Sequence, residues 1–279
     1  MTNQSHSFIE RRKRRAIIGS VAAVIAIVSW AYIFNRVSFL PSLAITDVRV
    51  YGAGPDISPR ISSAAFMAIS GSYAGLFSKS NAFIYPKGAI AAAAKHSSPR
   101  IADVIVKRDG LHSLTIAVSE KAPSAITCSG LPDFDDSGTL VKDEAKRDDC
   151  FFTDESGYIF MRASGSDLTS YTIYYVPALP DDPTGLQATS TEKFKALQDF
   201  LKGVKANGME PQGLLIKEGG EYEMYISNHG GTAIVYFNDA ASLEKELANL
   251  SAFWGKNKRS SFEYIDVRYG SNVFYRLIQ

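Results

Sequence analysis

The sequence predicts an α+β protein carried by a single N-terminal transmembrane helix. Three observations predict this class. Five basic residues, Arg11-Arg12-Lys13-Arg14-Arg15, stand directly before nineteen uncharged residues, Ala16 to Phe34. Beyond them, β-branched runs closed by turn residues are interleaved with capped, amphipathic helical segments. The composition is that of an ordinary globular chain, with 46% hydrophobic and 21% charged residues.

The apolar run comes first. At about 1.5 Å per helical residue it reaches roughly 28 Å, close to the ~30 Å hydrocarbon core of a bilayer. Trp30 and Tyr32 near its far end suit a membrane–water interface. The positive-inside rule makes residues 1–15 a cytoplasmic basic tail and residues 16–34 the span, with the chain outside from about Arg36 onward. A cleaved secretory signal is the alternative. It needs a small-residue cleavage site, and Phe34-Asn35-Arg36-Val37 is a poor one. Residues 1–10 are expected to be disordered, and Asn35 to Ser42 to form a short linker.

A first external domain is expected over residues 43–121. Ile45 to Gly52 reads as a strand. Ser58 is expected to cap a helix that has Pro59 at its first position and stops at Gly71. Residues 71–86 read mostly as loop. A helix over Lys87 to His96, centred on four alanines, ends before Pro99. Strands over Ile101–Arg108 and Ser113–Glu120 are joined by Asp109-Gly110, a hairpin signal. The order strand–helix–helix–strand–strand implies two helices on one face of a three-stranded sheet.

Residues 122–279 form a second, strand-rich α+β domain. Strands are expected at 124–128, 150–153, 157–163 and 171–176. Thr189-Ser190-Thr191-Glu192 reads as a capping box opening a helix whose apolar positions are Phe194, Leu197, Leu201 and Val204. Two or three strands follow over Gly213 to Phe237. Asp239 is expected to cap a last helix with the stripe Leu243, Leu247, Leu250 and Trp254. Strands near Glu263–Arg268 and Asn272–Leu277 complete the chain.

Charge excludes one class of partner. The formal net charge is +1, and five of the 30 Lys and Arg sit in the tail cluster. The external part is therefore near neutral, which argues against nucleic acid. Cys128 and Cys150 both fall outside the membrane, where an oxidising compartment allows them to pair. They are a disulfide candidate closing about 23 residues, worth roughly 3 kcal/mol; two unpaired thiols are the alternative.

The motifs for chemistry are few. The four histidines lack ligand spacing, and the sequence holds no phosphate loop, dinucleotide fingerprint or Gly-x-Ser-x-Gly elbow. No enzyme activity, cofactor or small-molecule substrate is expected. Asp133, Asp135, Ser137 and Glu144 match positions 1, 3, 5 and 12 of a calcium loop, with Gly138 at position 6. Gly130 and Pro132 speak against the entering helix such a loop needs. The alternative is a polar, solvated hairpin insert between the cysteines. The aromatic residues Phe262, Tyr264, Tyr269, Phe274 and Tyr275 suit either core packing or a partner surface along a final edge strand.

Four segments in order behind one anchor resemble the bacterial cell-division family FtsQ/DivIB. They are Ile45-Thr46-Asp47-Val48-Arg49-Val50-Tyr51-Gly52, the paired runs 101–108 and 113–123 ending Glu120-Lys121-Ala122-Pro123, Phe152 to Phe160, and Tyr264-Ile265-Asp266-Val267-Arg268-Tyr269. The resemblance implies that residues 43–121 are a POTRA-like domain and 122–279 the family's β domain. It also implies a non-catalytic scaffold at the division septum, in the cytoplasmic membrane with its N-terminus inside. The implied partners are small bitopic proteins like FtsB/DivIC and FtsL. They would pair along the final strand at Arg268, Tyr269, Ser271, Asn272, Val273 and Phe274, with Arg268 meeting a partner carboxylate. The chain departs from the family pattern in the Cys128–Cys150 insert and in the loop 71–86. Two other functions compete: an anchored POTRA-type chaperone gripping secreted chains along a sheet edge, and a surface calcium-dependent binding module.

Overall fold

A computed structural model describes residues 3–141, 149–163, 168–228, 231–239, 242–258 and 260–278. The architecture is α+β, with five α-helices and two principal sheets among the described residues. The chain divides into two units, residues 1–120 and 121–279.

The first unit begins with α1, Asn3–Ser38. Within it Ile17–Ser38 is long and apolar enough to cross a membrane, and residues 17–34 are exposed throughout. The helix extends past both expected ends. It begins at Asn3 and not at Ala16. At the other end Asn35 to Ser38 form its last turn instead of a linker. That turn is fastened by the Asn35 amide donating to the Leu76 carbonyl and by Ser38 Oγ accepting from the Ser78 N–H at 3.2 Å.

A three-stranded sheet follows, in the order β1 (Asp47–Tyr51), β5 (Ser113–Glu120), β4 (Ile101–Asp109), with β1 parallel and β4 antiparallel to the central strand. Its core is filled by Ile61, Ala65 and Ile69 from α2 (Ser58–Ile69) and by Ile90 and Ala94 from α3 (Lys87–His96), against Val106, Leu114, Ile116 and Val118. Spacings of four place each helical set on one face. Two local expectations change. Ser58 does not cap α2: its hydroxyl donates back to the Gly54 carbonyl at 3.0 Å, and Ile57 takes the cap position. The stretch 71–86 contains a small hairpin, β2 (Ser72–Tyr73) with β3 (Phe77–Ser78).

The second unit is built on a nine-stranded sheet. Its order is β14 (Asn272–Leu277), β13 (Phe262–Tyr269), β12 (Gly231–Asn238), β11 (Glu221–Asn228), β10 (Pro211–Ile216), β9 (Ile173–Tyr175), β6 (Ala125–Cys128), β7 (Cys150–Thr153) and β8 (Ile159–Arg162). The pairs β12–β13, β9–β10 and β6–β9 are parallel, and the rest antiparallel. Two helices, α4 (Thr191–Ala206) and α5 (Leu243–Asn257), cover one face through Phe194, Leu197, Val204, Leu250 and Trp254. Strand alternation splits the interior between the faces: Leu214 and Ile216 point to the helices, and Leu215 points away.

The opposite face is covered partly by the insert between the cysteines, which is therefore not merely a solvated hairpin. Leu140 is buried there, Phe134 meets Tyr225 edge-on at 5.5 Å, and the Leu140 N–H donates to Thr232 Oγ1 at 3.0 Å. Both helix starts in this unit differ from expectation. Thr191 is the first residue of α4, so Ser190 caps it and accepts from the Lys193 N–H; the Thr189–Glu192 box does not form. Ser242 caps α5, while Asp239 lies 3.0 Å from Lys193 Nζ and accepts from the Tyr222 hydroxyl at 3.3 Å.

Candidate functional site: the open edge of the large sheet

Strand β14 ends the nine-stranded sheet, and among the described residues it pairs only with β13. Tyr269 stands opposite Asn272, so Gly270 and Ser271 form a two-residue hairpin turn. Gly270 has φ +67°, a left-handed conformation that glycine adopts without steric cost. The Asn249 amide donates to the Gly270 carbonyl, which ties the turn to α5.

Side chains of β14 divide between support and display. Val273 packs on the helical core, and Tyr275 meets Phe253 at 5.1 Å and Phe262 at 5.8 Å. On display, Tyr269 and Phe274 contact each other edge-on at 5.5 Å and are 58% and 54% exposed. Leu277 and Ile278 are also exposed. A strand of six residues thus offers unpaired backbone groups and large apolar side chains along one edge.

The six residues expected on one final strand are divided: Arg268 and Tyr269 end β13, Ser271 lies in the turn, and Asn272, Val273 and Phe274 are on β14. By exposure they fall into two groups. Tyr269, Ser271, Asn272 and Phe274 are exposed. Arg268 and Val273 are half-buried and face their own chain. Arg268 holds Asp266 through two parallel hydrogen bonds of 2.9 and 2.6 Å, lies 3.5 Å from Glu221, and stacks over Tyr236 and Tyr269. Its hydrogen bonding to Asp266 holds its pKa above the ordinary arginine value. Within this chain its carboxylates are Asp266 and Glu221, and its guanidinium lies over the Tyr269 ring. Leu277 and Ile278 were missed, although the strand pattern running to the C-terminus was a usable signal.

A second feature missed from sequence lies behind this hairpin. Glu246 sits within the apolar stripe of α5, one turn before Leu250, and is 1% exposed. Its Oε2 accepts from the Asn238 N–H at 3.1 Å, while Oε1 has no hydrogen-bond partner among the described residues. Burial pushes its carboxyl up to about 7; Asp266 and Asp239 add to the shift and Arg268 opposes it. The signal in sequence was a glutamate at a core-facing spacing.

Cys128 and Cys150 stand opposite each other in the β6–β7 register, and their sulfurs are bonded at 2.06 Å. As a disulfide they offer no thiolate for a metal or a nucleophilic attack. At the calcium-loop match, Asp135 turns its carboxylate onto its own loop. One oxygen accepts from the Ser137 hydroxyl and from the N–H groups of Ser137 and Thr139 at 2.6–2.9 Å. The Ser137 bond, then the Thr139 bond, lowers its pKa. Asp133 lies in the same turn, where its carbonyl accepts from the Val141 N–H at 2.8 Å. Glu144 lies outside the described residues. Residues 129–141 contain no helix, so the helical frame of a calcium loop is missing on the entering side.

No protein-family model matches the chain, and a search of curated proteins finds no match.

Proposed function

We propose that this chain is a non-catalytic, membrane-anchored scaffold that binds single-span partners by strand addition along β14. The observation that carries the reading is the open β14 edge, with Phe274, Leu277 and Ile278 exposed along it and Tyr269 of β13 exposed against Phe274. Backbone pairing supplies affinity to an added strand, and alternate side chains supply selectivity. Aromatic rings bury large area at low entropic cost.

The resemblance to FtsQ/DivIB gives the partners their class. On this reading residues 43–121 are a POTRA-type domain, with the order β1–α2–α3–β4–β5 and an inserted hairpin. Residues 122–279 are the partner-binding β domain. The partners are small bitopic division proteins like FtsB/DivIC and FtsL, met at the septum in the cytoplasmic membrane. The Arg11–Arg15 cluster then sets topology with the tail inside.

The test is affinity purification of the full chain from cells, with and without Tyr269→Ala and Phe274→Ala together. One dominant small single-span partner is expected with the unaltered chain, lost with the double variant. Undiminished capture by the variant overturns the reading. A POTRA-type chaperone is the second reading, favoured by β1 and β4, each paired only with β5 among the described residues, and by exposed Tyr51 and Ile105. Many captured secreted chains in place of one partner would select it.

A further inference from the structure

The first unit carries an apolar surface remote in sequence from the β14 edge. Beside the last turns of α1 lies a groove of about 440 Å³, walled by Phe34 and Val37 of the helix and by Phe77, Phe83 and Ile84. Around it Phe39, Leu40, Leu76 and Phe83 are each about half exposed or more. An apolar surface of this kind is unusual in water and ordinary against lipid.

Its level relative to the helix is set by hydrogen bonds. Ser38 Oγ accepts from the Ser78 N–H and the Ser38 carbonyl accepts from the Asn81 amide, both at 3.2 Å. The Ala82 N–H donates to the Leu43 carbonyl at 2.8 Å. The segment 76–84 is thus fastened to the point where α1 ends. Twenty-two helical residues, Ile17–Ser38, rise about 33 Å, slightly more than the ~30 Å hydrocarbon core. Ser38 then lies at the outer boundary of that core, and the fastened segment lies with it.

Charge agrees with this placement. No acidic residue occurs between Glu10 and Asp47, or between Asp56 and Asp103. Arg36 adjoins the lining residue Val37 in sequence, Lys79 lies two residues from Phe77 and from Asn81, and Arg108 meets the lining directly. Arg108 stacks over the Phe83 ring at 4.9 Å and Lys79 lies over Tyr73 at 5.9 Å. Among the described residues no acidic residue lines the groove, and Asp47 and Asp109 of the same unit are both engaged by Arg49. Apolar groups with a basic rim match a phospholipid, tails inward and phosphate outward.

We infer that residues 76–84 enter the outer interface of the membrane and that the groove beside α1 takes an acyl chain of a phospholipid. The inference rests on α1 being a membrane span, and its test reports on both. The full chain is placed in nanodiscs of phosphatidylcholine and phosphatidylglycerol with no other protein. An environment-sensitive dye is attached at one of three sites, Phe83→Cys, Lys95→Cys or Ile25→Cys; the two native cysteines are bonded to each other. Lipids carrying a nitroxide high or low on the acyl chain are the quenchers.

The expected result is quenching at Ile25 by the deep nitroxide and at Phe83 by the shallow one. Quenching at Phe83 should be at least about twofold stronger than at Lys95, on the far end of α3. Quenching at Ile25 with none at Phe83 beyond the Lys95 level overturns the inference and leaves the anchor standing. Loss of quenching at Ile25 overturns the anchor itself. A Phe83 dye shielded only after a second single-span chain is added also overturns the inference, in favour of a partner helix in the groove.

Discussion

The two ends of the nine-stranded sheet are finished differently. At one end β8 is four residues long, and Ile159 and Phe160 are buried in opposite faces of the sheet. Its outer side is covered: Ile159 exchanges both backbone hydrogen bonds with residues 185–186, and Tyr158 bridges Gln187. Gly157 makes this possible. With φ +85° and Phe194 Cγ 2.8 Å from where a Cβ would stand, only glycine fits the turn that brings β8 under that segment. At the other end β14 is six residues long, aromatic and uncovered among the described residues. Proteins ordinarily shorten, charge or cover an edge strand. One sheet that covers one edge and leaves the other open has the second available for a partner.

The strongest challenge to this contrast is in the closed edge. Phe160→Ala should cost about 3–5 kcal/mol of unfolding free energy for the second unit. Partner binding, compared at equal folded concentration, should be unchanged. Chemical denaturation paired with a binding titration checks both, and a binding defect in the folded variant breaks the contrast. The open edge should behave oppositely. Phe274→Ala is expected to weaken partner binding by at least about thirtyfold, as for a buried aromatic anchor, and to move stability by less than about 1 kcal/mol. A large stability loss would reassign Phe274 from display to support.

The smallest effect concerns what lies beneath the open edge. Glu246 has a folded-state pKa of about 7, raised above its unfolded value. Below about pH 4.5 it is protonated in both states. Between there and pH 7 the unfolded chain ionises first, so its contribution makes stability fall as pH rises, and level off above pH 7. Glu246→Gln keeps an acceptor for Asn238 and removes the charge. It should flatten that slope and raise stability at pH 8 by about 2 kcal/mol, with little change at pH 4. Denaturation at both pH values checks this. An unchanged slope would mean that the carboxylate is solvated.

Legibility from sequence followed the range of the interaction. The stripe Phe194, Leu197, Leu201 and Val204 was readable because one face of one helix repeats locally. The start of α4 was not, because Thr189, Ser190 and Thr191 all qualify as caps and packing chose Ser190. The order strand–helix–helix–strand–strand of the first unit was readable for the same local reason. The β2–β3 hairpin was not, since two-residue strands have no period to detect. At the candidate site, Tyr269 and Phe274 were readable as aromatics near the end of the last strands, and the structure puts Tyr269 on β13 and Phe274 on β14. The inward turn of Arg268 was not, because Tyr236 and Glu221, which meet it beside Asp266, come from β12 and β11, tens of residues away.

The sequence by itself determined the apolar span with its basic flank, the helical stripes, the turns at glycine and the placement of two cysteines beside strands. Each depends on neighbours a few residues apart or on bulk transfer to lipid. The tertiary structure alone decided that β14 is an edge and β8 a covered one, that Glu246 is buried, and that residues 76–84 are fastened to the end of α1. Those are pairings between segments tens of residues apart. Backbone hydrogen bonds can join any strand to any other, so only the packed chain selects which of them form.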